Sequence, residues 1–189
     1  MKCLVFSDSH GDTSYIRRAI LKHKDAEVLF FLGDGLVDAD DAVNRSFLGA
    51  YFKVKGNCDW GYSSYDSSVK KTDEVVLLGK RIVFTHGDLY NAKSTTQDLS
   101  TMAIMRNADI VLFGHTHTPT EIFVSTESEE YKLAKASLTE RGLIDAECEA
   151  KPYYLFNPGS ISYRDGVPTY GILTLTENKE PLFSHGKLL

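Results

Sequence analysis

The sequence predicts an α/β protein, with its 189 residues folded as one domain. Three observations carry that prediction. Short apolar runs rich in strand formers recur along the chain, and segments with apolar residues at helical spacing separate several of them. Run after run also ends on glycine beside an aspartate, asparagine or histidine. Short, nearly unbroken apolar runs read as strands covered on both faces. In open α/β sheets chemistry collects at the carboxyl ends of such strands, so the run ends are the candidate site.

The first run, Cys3 to Phe6, leads into Ser7-Asp8-Ser9-His10-Gly11. Alternation along a strand puts positions i and i+2 on one face, so Asp8 and His10 are expected to aim at one point beyond the sheet edge. Taken alone, such a pair is more often a turn with a capping carboxylate. Asp12 or Thr13 can cap a helix through about Lys24, with Ile16, Ala19, Ile20 and a partly buried His23 facing inward. Residues 27–32 form a second strand ending in Gly33-Asp34-Gly35. A short helix over 38–48 follows, with Asp40 and Asp41 as solvated charges near its positive end. A third strand over 50–54 runs into Gly56-Asn57-Cys58-Asp59.

Residues 60–71 read as a polar loop, whose Trp60, Tyr62 and Tyr65 are expected to pack over it, with stacking on a substrate as the other use. Strands over 74–78 and 81–85 flank Gly79-Lys80, the pattern of a type II′ hairpin, and the second ends in His86-Gly87-Asp88. A helix over 94–107 is expected to turn Leu99, Met102, Ala103 and Met105 inward. The run 109–113 ends in Gly114-His115-Thr116-His117. Further strands are expected over 121–124, 153–156, 170–175 and near Leu182, with a tight turn at Asn157-Pro158-Gly159-Ser160.

The net charge of −5 argues against a nucleic-acid or membrane-surface partner, whose footprint would be basic. Cys3, Cys58 and Cys148 are odd in number and show no C-x-x-C spacing, so neither a disulfide framework nor a thiolate zinc site is expected. With no membrane-length apolar stretch and no signal-peptide pattern, the expected location is cytoplasmic.

Five strand ends thus present Asp8/His10, Asp34, Asn57, His86 and His115/His117, and only His23 and His185 of the six histidines fall outside the pattern. Buried structural histidines would not fall repeatedly at strand tips. Asp8-Ser9-His10, Gly33-Asp34, Gly56-Asn57, His86-Gly87 and Gly114-His115-Thr116-His117 resemble, in that order, the signature of the calcineurin-like metallophosphoesterases. The Gly56-Asn57-Cys58-Asp59 form and the Asn157-Pro158-Gly159-Ser160 turn are similar to the small YfcE-type phosphodiesterases. The resemblance implies a four-layer α/β/β/α sandwich of two mixed sheets with the site at the strand ends. It makes Asp34 a carboxylate bridging two divalent metals, Asp8, His10 and His117 the other ligands of one, and Asn57, His86 and His115 those of the second. The catalytic set implied is Asp34, Asn57, His86 and His115, joined by Cys58 and Asp59.

Imidazole, carboxylate and amide donors without thiolate suit Mn²⁺ first, with Ni²⁺, Co²⁺, Fe²⁺ and Zn²⁺ as alternatives. A shared carboxylate would hold the cations ~3.5–4 Å apart, where they lower the pKa of a bridging water and clamp phosphate oxygens. The nucleophile is then a metal hydroxide. In many members of the family a histidine follows the Gly-Asn and protonates the leaving group; here that position is Cys58. A thiol is a poorer proton donor to an alkoxide than imidazolium at neutral pH, which favours small phosphodiester substrates with good leaving groups. Packing beneath the site is the other reading of Cys58. A phosphomonoesterase is disfavoured by Cys58 and by the lack of an arginine after Gly33-Asp34-Gly35-Leu36-Val37-Asp38. A non-catalytic scaffold of the same fold, like the retromer subunit, is the rival from another class, and the filled ligand positions count against it.

Residues 120–152 form an insertion-like excursion with eight acids against four bases. Thr126-Glu127-Ser128-Glu129 fits a capping box and Gly142 a helix stop, so a helix between them is one expectation, and a solvated surface hairpin is the leading one. Its start just after His117 leaves open a lid or a homo-oligomer contact.

Overall fold

Alternation along the central strands sends successive side chains into two different cores, and this sets the layers. The computed structural model describes residues 1–61, 66–145, 147–149 and 151–188, so Tyr62 and Tyr65 lie outside the described residues. β1 (Lys2–Phe6) and β2 (Val28–Phe31) direct Leu4, Phe6, Leu29 and Phe31 toward helices α1 (Thr13–Lys22) and α2 (Leu36–Ser46). Cys3, Val5, Val28 and Phe30 point the other way and meet Ile82 and Phe84 of β5 (Lys80–Thr85) and Ile110 and Leu112 of β6 (Ile110–Leu112). In that second sheet Val83 and Val111 face outward onto α3 (Gln97–Met105) and α4 (Glu129–Glu140). The product is an α/β/β/α sandwich. In its middle, Phe30 stacks on the partly buried Phe52 at 5.4 Å and meets Phe84 edge-on at 5.3 Å, with Phe30 and Phe84, both fully buried, contributing about 1.5–3 kcal/mol each.

The remaining strands are β3 (Ala50–Lys53), β4 (Thr72–Leu77), β7 (Thr120–Val124), β8 (Tyr153–Asn157), β9 (Thr169–Thr174) and β10 (Leu182–Lys187). The first sheet has the order β10-β9-β1-β2-β3 and the second β4-β5-β6-β8-β7. β1, β2 and β3 are parallel, as are β5, β6 and β8, while antiparallel strands complete each sheet.

Several expectations are corrected. The hairpin turn is Leu78-Gly79, because Leu77 pairs with Lys80, and positive φ at both central residues (47° and 76°) is the mirror-image type I′ geometry. Met105 lies on the outer side of α3 and is 52% exposed. Asp40 is not a free surface charge: its carboxylate sits 2.9 Å from the Lys53 ammonium and accepts from the Tyr51 hydroxyl. Asp41 pairs with Arg45 one helical turn on. The excursion is a layer of the sandwich rather than a solvated hairpin, since β7 pairs with β8 and α4 buries Tyr131, Ala134 and Leu138, Tyr131 within the core of the second sheet. Ser128, not Thr126, caps α4, its Oγ accepting from the Tyr131 N–H. Gly142 ends the helix at φ 66°, with Leu143 N–H donating to Leu138 and Gly142 N–H to Thr139, a Schellman close. None of the helices formed by the described residues is long and apolar enough to cross a membrane.

Candidate metal centre

The seven donors expected from the sequence lie just past the ends of β1, β2, β3, β5 and β6. Five of them have left-handed backbones: Asp8, His10, Asp34, His115 and His117, with φ from 48° to 67°. Strand alternation therefore does not aim Asp8 and His10, because β1 has already ended at Phe6. Tight turns aim them instead. Left-handed geometry costs an ordinary L-residue roughly 1–2 kcal/mol, and Asp, Asn and His tolerate it best, so this backbone suits the residues that carry the donors. The turns are tied together, Asp8 N–H donating to the Gly33 carbonyl at 3.0 Å and His10 N–H to that of Asp34 at 3.2 Å. Two glycines make room. A side chain at Gly56 would collide with the Asp34 carboxylate, and one at Gly114 with the Ser7 hydroxyl.

The donors fall into two groups. Asp8 Oδ1 lies 3.2 Å from His117 Nε2 and 3.8 Å from His10 Nε2, and the two imidazole nitrogens are 3.4 Å apart. In the second group His86 Nε2 is 3.1 Å from Asn57 Oδ1, 3.1 Å from His115 Nδ1 and 3.3 Å from Asp34 Oδ2. Asp34 reaches toward both, with oxygens within 4.8 Å of ring nitrogens of His10 and of His86.

Does this set fit a metal? Bonds of about 2.1 Å meeting at right angles put neighbouring donors about 3 Å apart, which matches these spacings. The tautomers agree. His86 Nδ1 lies 2.8 Å from the Leu32 carbonyl, which only accepts, so Nδ1 carries the hydrogen and Nε2 turns its lone pair toward the other donors. His117 Nδ1 lies 3.0 Å from Asp165 Oδ1, which likewise leaves Nε2 to face Asp8. Asp8 Oδ1 is fully buried and forms no hydrogen bond. A buried carboxylate oxygen without a donor, facing lone pairs, is an arrangement that a bound cation would satisfy. The residues fit.

Titration behaviour follows from the same crowding. Burial pushes the Asp34 carboxyl up, but protonated His86, by its hydrogen bond and charge, and the Cys58 N–H outweigh it and hold it below the usual range. Burial lowers His86, and the Asp34 and Asp8 carboxylates more than compensate, leaving it raised. Contact with Asp8 raises His117, while burial and then the neighbouring His86 lower His115.

Around the donors stand residues with different tasks. Asp59 accepts from four backbone N–H groups, those of Asp34 and Gly56 on one oxygen and of Gly35 and Leu36 on the other, at 2.8–3.0 Å. Both oxygens are thereby committed to holding the loop, so Asp59 is a positioning residue and does not orient the side chain at 58. Cys58 is exposed rather than packed beneath the site, and burial of its sulfur together with the Asp34 carboxylate pushes its thiol up to about 11. Trp60 is 87% exposed and lines a cavity of about 310 Å³ with His10, Asp34 and Cys58. His23 contacts the Tyr170 hydroxyl and His185 the Asn157 carbonyl, so neither joins the site.

Two carboxylates had not been foreseen. Asp38, in the first turn of α2, accepts from Ser9 Oγ at 2.7 Å and Gly11 N–H at 2.8 Å, pinning the loop that carries His10. Asp165 holds His117 from a 3₁₀ turn (Tyr163–Asp165), with Ser160 Oγ 2.6 Å away and also within 2.9 Å of the Asp8 carbonyl. Burial raises the Asp165 carboxyl, and Ser160 and His117 bring it below its ordinary range.

Two five-stranded sheets, face to face between helical layers and with a mixed nitrogen and oxygen donor set at their tips, define a metallophosphoesterase-fold protein. Residues 1–178 match the family model of the calcineurin-like phosphoesterase superfamily domain, and the chain belongs to that superfamily. Its members are metal-dependent. Over 119 residues the chain is 33% identical to the probable metallophosphoesterase YsnB of Bacillus subtilis strain 168, a match spanning 62% of this chain and 64% of the relative. A structure described as that of a novel archaeal phosphodiesterase superposes with a TM-score of 0.63, at 23% identity and over the full length of both chains. Zinc-complexed Vps29 from Entamoeba histolytica gives 0.64 at 16% identity over 99% of each. The structural likenesses establish the fold.

Proposed function

We propose that the chain is a two-metal phosphodiesterase acting on a small or nucleotide-like phosphate diester. The observation that carries this reading is Asp34, which offers a carboxylate oxygen within 4.8 Å of a ring nitrogen of His10 in one donor group and of His86 in the other. Asp8, His10 and His117 would hold one metal and Asn57, His86 and His115 the other, with Mn²⁺ first among the divalent ions that such donors accept. When bound, the pair supplies Lewis acidity to the phosphate oxygens and lowers the pKa of a water, making it a nucleophile at neutral pH. The chain's own residues do the rest. Asp34 offsets the repulsion between like charges, and the Leu32 carbonyl and Asp165 keep the rings of His86 and His117 turned inward. Position 58 offers a thiol where an imidazole would donate a proton, which supports diesters whose leaving groups depart unaided.

Vps29 and the archaeal phosphodiesterase superpose about equally well, so overall shape does not separate scaffold from enzyme. The filled donor positions support the enzyme. The test is metal-free protein reconstituted with each divalent ion and assayed on bis(4-nitrophenyl) phosphate and 4-nitrophenyl phosphate. Two equivalents of metal per chain and faster turnover of the diester are expected. Tight metal binding with no turnover of either ester would leave the scaffold reading in its place.

A further inference from the structure

We infer that Trp60 is a stacking platform that selects phosphodiesters carrying a planar aromatic group, aryl or nucleobase, on one ester oxygen. This rests on the diesterase reading and adds the substrate class. Trp60 is the chain's single tryptophan and is 87% exposed. A large amphipathic ring left in water forgoes the burial that normally places it in a core, so its position needs a reason. The cavity of about 310 Å³ gives one. Its wall runs from the donors His10 and Asp34 past Cys58 to Trp60 and Val37, and Val37 is itself 63% exposed.

Gly11 and Gly61 also line the cavity, and the space a side chain would take at either is open. None of the described residues lining the cavity is a lysine or arginine. A second phosphate or carboxylate on the substrate would find no side-chain cation there, whereas an uncharged planar ring would find an indole face and a valine. The volume suits one such ring, at the small end of ordinary ligand sites. A phosphate between the two donor groups would then project one ester arm along this wall.

Base-to-aromatic stacking, measured by alanine substitution, predicts that Trp60→Ala lowers the ratio of kcat/KM for aryl over alkyl diesters by about 5- to 150-fold. Trp60→Phe should retain most of that ratio. Because Trp60 is the single tryptophan, the emission of the metal-loaded protein reports on the platform directly. Adenosine monophosphate and phenyl phosphate should quench it, and ribose 5-phosphate and methyl phosphate should not. Quenching by phenyl phosphate alone would assign the platform to aryl groups, and quenching by both to nucleobases as well. Turnover with an aryl-to-alkyl ratio unchanged in Trp60→Ala, or with no selective quenching, overturns the inference. Selective quenching without turnover of any diester overturns the hydrolytic reading and leaves the platform in place.

Discussion

The first sheet brings three oxygen donors and one imidazole to the site, from Asp8, Asp34, Asn57 and His10, while the second brings only imidazoles, His86, His115 and His117. Each side is braced from the other. The ring of His86 is fixed by the carbonyl of Leu32, just past β2, and the carboxylate of Asp8 by the N–H of His115, just past β6. Neither sheet alone holds a site. The difference also separates two ways of fixing a ligand. The brace on His86 is a main-chain carbonyl, supplied whatever side chain stands at position 32, whereas the brace on His117 is the side chain of Asp165.

The most direct way to break the division is to remove the carboxylate that serves both groups. Asp34→Asn should cost about 10³-fold in diesterase activity, the upper end for loss of one charge-stabilising group, together with loss of paired metal loading. Metal content by elemental analysis and kcat on a nitrophenyl diester check it. Near wild-type values for both would mean that the two donor groups act independently.

A smaller effect should sharpen the contrast between the braces. Asp165→Asn should weaken metal binding at the His117 group by about 10- to 100-fold, the usual consequence of losing a carboxylate behind a metal-ligating histidine. The His86 group should keep its affinity. Competition with a chelator, read as two successive losses of metal, resolves the groups, and equal weakening of both would show that the second sheet moves as one piece.

The least effect is expected from the histidine that ends α1, which packs against Tyr170 of the first sheet and joins neither donor group. Burial, and then Lys2, lower the pKa of His23, whose Nε2 meets the Tyr170 hydroxyl at 2.7 Å. A histidine with a lowered folded pKa takes up its proton more readily when unfolded. Stability is therefore unaffected above the unfolded value near ~6.5 and declines as pH falls below it toward the folded value. His23→Gln should flatten that decline by less than about 1 kcal/mol, since the ring is only partly buried and solvent screens it. Urea midpoints at pH 7 and pH 5 measure the difference, and an unchanged slope would exclude His23 as its source.

The donors were legible because each sits beside a glycine at a strand tip, a pattern that survives without knowledge of the turns. How Asp8 and His10 converge was not legible, since alternation and a left-handed turn both bring i and i+2 together. Asp165 carried no signal of its own. It lies in a polar turn 48 positions after His117, and only the folding of β8 and β9 brings the two side by side. The layers of the fold were readable where runs were continuously apolar. They were not over 120–152, where Tyr131, Ala134 and Leu138 are scattered among charges and a helix covering the second sheet looked like surface. The hairpin was displaced by one residue because Gly79-Lys80 and Leu78-Gly79 are both acceptable turn pairs, and only the cross-strand register chooses.

The four N–H groups gathered by Asp59 have a meaning beyond holding a loop. Two of them, from Gly35 and Leu36, open α2, and the start of a helix is among the few places where a polypeptide can grip a phosphate without metal or lysine. Here that natural anion seat is already taken by an internal tenant, a carboxylate from the same chain. An arriving phosphate cannot displace a group that is tethered beside it. At the start of α2 the main-chain route to a phosphate is closed off, and under the proposed function affinity for phosphate there is left to whatever positive charge the strand tips collect.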